Sequence, residues 1–201
     1  MENFYKGLYK QSYEKGFTLI EILVAIAIAG IVMAGIYSAY YSQQKSYVVQ
    51  EQVAIAQQNL RAAMYFMERE VRMVGCDPMG SANAAIITAG ADTFQFSEDI
   101  GDGAGGNPNG TIDAGENITY ALNGTNLTRT AGGGAQTIAE NIQTLNFRYF
   151  DADNIEITQP VTATTIVNIR SVQISMTAGT GTNQRDLSAH VKCRNLGLED
   201  T

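Results

Sequence analysis

The chain has 201 residues, with 13 lysines and arginines against 20 aspartates and glutamates, a net charge of −7 and a pI near 4.7. An acidic chain of this kind repels polyanions and offers no basic stripe, so charge alone argues against nucleic acid as a partner. The length suits one membrane helix and one soluble domain, and a single histidine cannot build a histidine-rich zinc site.

The first 16 residues carry Lys6, Lys10 and Lys15 against Glu2 and Glu14, and they end in Gly16. Residues 17–37 then form an apolar run of 21 residues whose one charge is Glu21. At ~1.5 Å per residue such a run crosses a ~30 Å hydrocarbon core. The next basic residue is Lys45, beyond the run. The positive-inside tendency therefore predicts a cytoplasmic N-terminus and an external bulk. A Sec signal is excluded, because the apolar run follows the glycine and no small-residue cleavage site succeeds it. An ionised carboxylate in hydrocarbon costs on the order of 3 kcal/mol at the bilayer centre and less near an edge. Glu21 needs a reason.

From Ser42 to Val74 the apolar residues Val49, Val53, Ala56, Leu60, Ala63, Met67, Val71 and Val74 recur every three or four positions. That spacing predicts one face of an amphipathic helix. Glu68 and Arg72 make a favourable i,i+4 pair, and Gly75 and Pro78 supply the stop. One helix from about Phe17 to Val74 results. Past Pro78 the texture turns to short β-rich runs at residues 85–88, 93–96, 118–122, 126–130, 137–139, 142–150, 171–177 and 187–193. Leu145, Phe147 and Tyr149 alternate with polar residues, as do Val172, Ile174 and Met176, which predicts half-buried strands. Asn123-Gly124 signals a hairpin turn. A slip of the apolar phase before Val172 predicts a bulge or a short helical turn ahead of Arg170. The whole reads as an antiparallel meander packed on a helix, an α+β domain.

The segment Lys15-Gly16-Phe17-Thr18-Leu19-Ile20-Glu21 and its apolar helix resemble the N-terminus of type IV prepilins. Further stretches resemble PilW-type minor pilins: Ser46-Tyr47, Gln57-Gln58-Asn59-Leu60-Arg61, Phe66-Met67-Glu68-Arg69-Glu70-Val71-Arg72 and Ile169-Arg170-Ser171-Val172-Gln173-Ile174-Ser175. The J-type pseudopilins of type II secretion share the layout. The resemblance implies a pilin-like α+β fold, a long N-terminal helix packed on an antiparallel sheet. It divides the chain into a cleaved cytoplasmic leader (1–16), a transmembrane and filament-core helix (17–41), an amphipathic helix (42–75) and a β-rich globular head (76–201). Prepilin peptidase would cut between Gly16 and Phe17 and methylate the new amine of Phe17. Glu21 would then compensate the Phe17 amine of a neighbouring subunit, so that two charges costly in an apolar core offset each other. The implied partners are prepilin peptidase, other minor and major pilins, the pilus assembly platform and the inner membrane. The implied location is the inner membrane with a periplasmic head, then the pilus on the cell surface, with a role in starting assembly at or near the tip.

Removing the leader leaves 10 basic and 18 acidic side chains (13 − 3 and 20 − 2), a net of −8. Cys76 and Cys193 both follow the apolar run. In an oxidising periplasm the pair is expected to form a disulfide that ties the end of the helix to the C-terminal segment, two free thiols being the alternative. Asp99, Asp102, Asn107, Asn109, Asp113 and Glu116, with Glu98 beside them, crowd one Gly-rich loop. Such oxygen ligands suit Ca²⁺, which would make the chain a calcium-dependent adhesin subunit, but the EF-hand spacing is absent. A solvated acidic loop without cofactor is the simpler expectation. Gly101 to Gly106 spells GxGxxG, but no helix follows and its carboxylates would repel a pyrophosphate. No nucleophile, base and orienting group stand together, so no enzyme is expected.

Overall fold

The computed structural model describes residues 16–101, 106–179 and 183–197. Its contacts divide the chain into two units, Met1–Val48 and Val49–Thr201. One helix, α1 (Leu19–Val71), runs through the boundary. In the first unit every described residue is exposed. The most apolar 18-residue window of α1 has a mean hydropathy of 2.7, and none of it is buried. Among the described residues of this unit, nothing covers the apolar surface. Leu19, Ile31 and Tyr37 stand 79%, 76% and 71% exposed.

In the second unit the helix turns amphipathic. Ala56, Leu60, Ala63, Met64, Met67, Glu70 and Val71 are buried. Val49 and Val53, at the start of the expected face, are only half-buried. The i,i+4 pair of Glu68 and Arg72 forms at 3.2 Å. The helix gives way to a turn at residues 72–75, where Gly75 adopts φ 73°. A side chain at 75 would also strike Leu196, whose Cδ2 lies 2.4 Å from the place of a Cβ. Only glycine meets both demands.

The helix packs on an antiparallel β domain that contains two sheets. The first holds β1 (Ile86–Ala89), β2 (Thr93–Ser97), β3 (Asn117–Asn123), β4 (Asn126–Ala131) and β5 (Gln136–Ala139), in that order. Asn123 pairs with Asn126, and Gly124 opens the two-residue loop with φ 62°. The second sheet holds β6 (Ile142–Phe150), β7 (Glu156–Ile157), β8 (Ser171–Ala178) and β9 (Arg185–Lys192), in the order β7-β6-β8-β9. The meander expected from the sequence is thus broken between β5 and β6. Asn141 sits there at φ 59°, a left-handed conformation that asparagine tolerates better than most residues. The phase slip before β8 is a short 3₁₀ turn, Ile166–Asn168.

Alternation works as the strands require. Leu145, Phe147 and Tyr149 face inward on β6, and Val172, Ile174 and Met176 on β8. Phe94 of β2 meets Phe147 and Tyr149 of β6 at ring separations of 5.6 and 5.7 Å, which joins the two sheets through one aromatic cluster. Tyr149 donates its hydroxyl proton to the carbonyl of Gly90 at 2.7 Å, so its polar end is satisfied.

The expected disulfide is absent. Cys76 and Cys193 are both free thiols. Each backbone is held by its own partners. Cys76 donates its N–H to Met73 and accepts from Asp99 of the first-sheet loop at 2.7 Å. Cys193 donates to the carbonyl of Arg170 beside the second sheet and buries its side chain to 1% exposure. The expected tie between helix end and C-terminal segment does exist, but it is non-covalent. Asn195 donates long amide hydrogen bonds to the carbonyls of Arg72 and Val74, and Leu196 packs at Gly75.

Candidate functional site

Residues 1–15, most of the expected leader, lie outside the described residues. Gly16 and Phe17 are described and exposed, Phe17 at 85%. Among the described residues a side chain built at Gly16 would meet nothing within 4 Å, and its φ lies outside the left-handed range. Neither space nor backbone in the fold demands glycine at 16.

Thr18 immediately precedes α1 and caps it. The Glu21 N–H donates to Thr18 Oγ1 at 3.3 Å, and Thr18 N–H donates back to Glu21 Oε2 at 2.8 Å. The Thr18 hydroxyl adds a 2.8 Å bond to the same oxygen. This reciprocal pair is a capping box, and it satisfies two N–H groups that a helix end leaves without partners. Glu21 therefore has a role inside its own chain before any neighbour is considered. Its carboxylate also lies where the helix dipole favours negative charge. The one signal of this role in the sequence is the spacing Thr-x-x-Glu ahead of an apolar run, the signature of such a box.

The acidic loop divides rather than gathering around a point. Asp99 is fully buried, and its carboxylate accepts the N–H groups of Asn109 at 3.1 Å and Gly110 at 2.9 Å. Glu116 is also buried and accepts from Ile100 and Gly101, each at 2.8 Å, and from Asp113 at 2.9 Å. Asn109 bonds to the side chain of Asp113 and to Thr111. Asn107 is exposed, and Asp102 lies outside the described residues. Among the described residues no three His, Cys, Asp or Glu side chains gather so as to hold a metal ion. Asp99 and Glu116 act instead as internal clamps of the loop backbone. The expectation of a wholly solvated loop is corrected at these two positions.

Two further polar groups were not legible as a site. Glu70, on the buried face of α1, accepts the hydroxyl proton of Tyr120 and pairs with Arg129 at 2.8 Å. Tyr120 and Arg129 are cross-strand partners on β3 and β4, so one carboxylate fastens the helix to the first sheet. Glu98 is 4% exposed and its Oε2 has no hydrogen-bond partner. Burial, reinforced by the negative charge of Glu70, pushes its carboxyl up to about 7. Burial likewise raises both thiols, Cys193 to about 12, so neither cysteine is a ready nucleophile.

Residues 11–37 match the family described as the prokaryotic N-terminal methylation motif. No curated protein matches the chain closely enough to count as a relative. The long N-terminal helix, the antiparallel β head and this motif define a structural protein like the type IV pilins and pseudopilins.

Proposed function

We propose that this chain is a PilW-type minor pilin, a subunit that helps to start assembly of a type IV pilus at or near its tip. The observation that carries the reading is the apolar surface of residues 17–37, exposed throughout and lying within the methylation motif matched at residues 11–37. Such a surface is unstable in water and must be covered by lipid, by other helices, or by each in turn. Prepilin peptidase cuts after Gly16 on the cytoplasmic face and methylates Phe17. The lack of any internal demand for glycine at 16 supports a demand from outside the fold, the peptidase's own cleft. The chain then waits in the inner membrane with residues 76–201 in the periplasm, until the assembly platform lifts it among other pilins.

Glu21 takes a second role on assembly. Both Thr18 bonds use one carboxylate oxygen, Oε2. The other, Oε1, is left to meet the methylated amine of a neighbour's Phe17, cationic below its pKa of ~8. Substitution separates the two roles. Glu21→Gln keeps a side chain that can cap and loses the charge, whereas Glu21→Ala loses both. Each is expected to insert in the membrane and to be scarce in sheared fibres, measured against the membrane pool. Incorporation of Glu21→Gln at the parental level would remove charge compensation from the account.

A further inference from the structure

The second sheet ends on β9, the last strand in the order β7-β6-β8-β9. Its register with β8 is unbroken from Arg185 to Lys192. Just past it, the Cys193 N–H donates to the carbonyl of Arg170, on the β8 side, at 2.9 Å. Backbone groups alternate sides along an antiparallel strand. Val191, Ala189, Leu187 and Arg185 therefore turn theirs to β8 as well, while Asp186, Ser188, His190 and Lys192 turn theirs outward. Among the described residues none of these outward N–H and C=O groups has a hydrogen-bond partner. The core is also open at this edge. Leu187 and Ala189 pack against it but stay half-buried, whereas Val191 is 2% exposed.

A long unpaired edge is a template for another strand, and proteins commonly guard it with charged side chains. Such a guard works by repelling a copy of the same edge. On β9 the charges do the reverse. Two copies of β9 laid antiparallel, with Ala189 opposite Ala189, place Asp186 against Lys192, Ser188 against His190 and Leu187 against Val191, each twice. The ion pairs fall on the exposed face and the apolar pairs on the core face, since this register keeps the two faces apart. The outward backbone groups coincide too, 186 with 192 and 188 with 190. Centring the pair on Ser188 instead sets Arg185 against Val191 and Lys192 against Gln184. Centring it on His190 sets two imidazoles together and leaves Asp186 opposite Arg194, beyond the strand. Asp186 is held ready by its own sheet, because the Thr177 hydroxyl donates to its Oδ1 at 2.7 Å and leaves its charge in place.

The helix decides how two copies would meet. Gln52, Ala56 and Asn59 line one cavity with Gly179 and Asn183, ahead of β9. The carbonyls of Arg72 and Val74 accept from Asn195, beyond it. The packed part of α1 and β9 thus run the same way. Antiparallel strands bring these helix segments antiparallel, so the two β heads point in opposite directions, as on two surfaces that face each other.

We propose that the β9 edge is a homotypic docking surface, which pairs antiparallel with β9 of a second copy, Ala189 on Ala189, and joins heads presented from facing surfaces. The inference rests on the edge and not on the pilin reading. One strand against one strand is a small, transient contact, and several pairs acting together would strengthen it.

The test traps the pair through cysteines. Ala189 would face its copy in a pair without backbone bonds, where Cα atoms lie ~4.5 Å apart and a disulfide can form. The full chain is placed in phosphatidylcholine nanodiscs, one copy per disc, so that partners sit on facing discs. Under mild oxidation Ala189→Cys should give linked dimers at least tenfold faster than Thr144→Cys, which is exposed on the same sheet away from the edge. The unsubstituted chain, with Cys76 and Cys193, sets the background. Ser188→Cys and His190→Cys should link to each other when mixed, and far less when each is alone. Asp186→Lys added to Ala189→Cys should slow linking about tenfold, and Lys192→Asp added to both should restore it. Linking no faster than that of Thr144→Cys, or a charge swap that fails to restore it, would overturn the proposal. Oxidation in the native membrane that links Ala189→Cys only to a different chain would overturn it too, and would give the edge to that partner.

Discussion

Glu98 shows how a single carboxyl sets a pH dependence. Its folded value lies near 7, because burial and the charge of Glu70 disfavour ionisation more than Arg129 favours it. In the unfolded chain an ordinary glutamate titrates at ~4.3. Between these values the folded state holds a proton that the unfolded state has lost. Stability from this group is therefore complete below about 4.3, falls as pH rises, and is lost above about 7. Glu98→Gln should leave melting at pH 4 nearly unchanged and raise it at pH 8, by up to about 3 kcal/mol of stability. An equal effect at both pH values would show that the carboxyl is not protonated in the fold. Glu70 gives the opposite case, since Arg129 and Tyr120 both depend on it. Glu70→Ala strands a largely buried guanidinium and should cost about 3 kcal/mol in denaturant unfolding. A loss below 1 kcal/mol would mean that water replaces the carboxylate. Neither residue was legible. Glu98 was one more acid in an acidic stretch, and Glu70 broke no apolar pattern. Only the fold reveals which carboxylates it buries.

At the scale of elements, the strands and the helix were largely legible, because each buries one face and exposes the other. The alternation of Leu145, Phe147 and Tyr149 located β6, and the three- to four-residue spacing from Ala56 to Val74 located the packed half of α1. The division into two sheets was not legible. It turns on the left-handed Asn141 and on aromatic contacts between β2 and β6, residues distant in sequence. The disulfide failed for a similar reason. Oxidising surroundings permit a bond, but only the backbone paths decide whether two sulfurs meet. The fold predicts two thiols per chain after denaturation without reductant, with slow labelling of buried Cys193 in the native protein. Fewer than two would contradict the separation of the two cysteines. The capping box lay in plain view as Thr18-x-x-Glu21, but a carboxylate in an apolar run draws attention to the membrane first.

At the scale of the whole molecule, the two units pose different physical problems. Residues 49–201 bury an aromatic core and satisfy most polar groups internally, so they explain themselves. Residues 16–48 do not, because an apolar helix exposed along its length needs a covering that the described residues do not provide. The pilin account supplies that covering twice, as lipid before assembly and as neighbouring helices after it. In that account a cut at Gly16, within the methylation motif matched at residues 11–37, links the two states. The most direct measurement is the intact N-terminus of the protein recovered from sheared surface fibres, read by mass spectrometry. The account predicts a chain that begins at Phe17 and carries one added methyl on its α-amine. A chain that keeps residues 1–16, or is absent from fibres although abundant in the inner membrane, would contradict it.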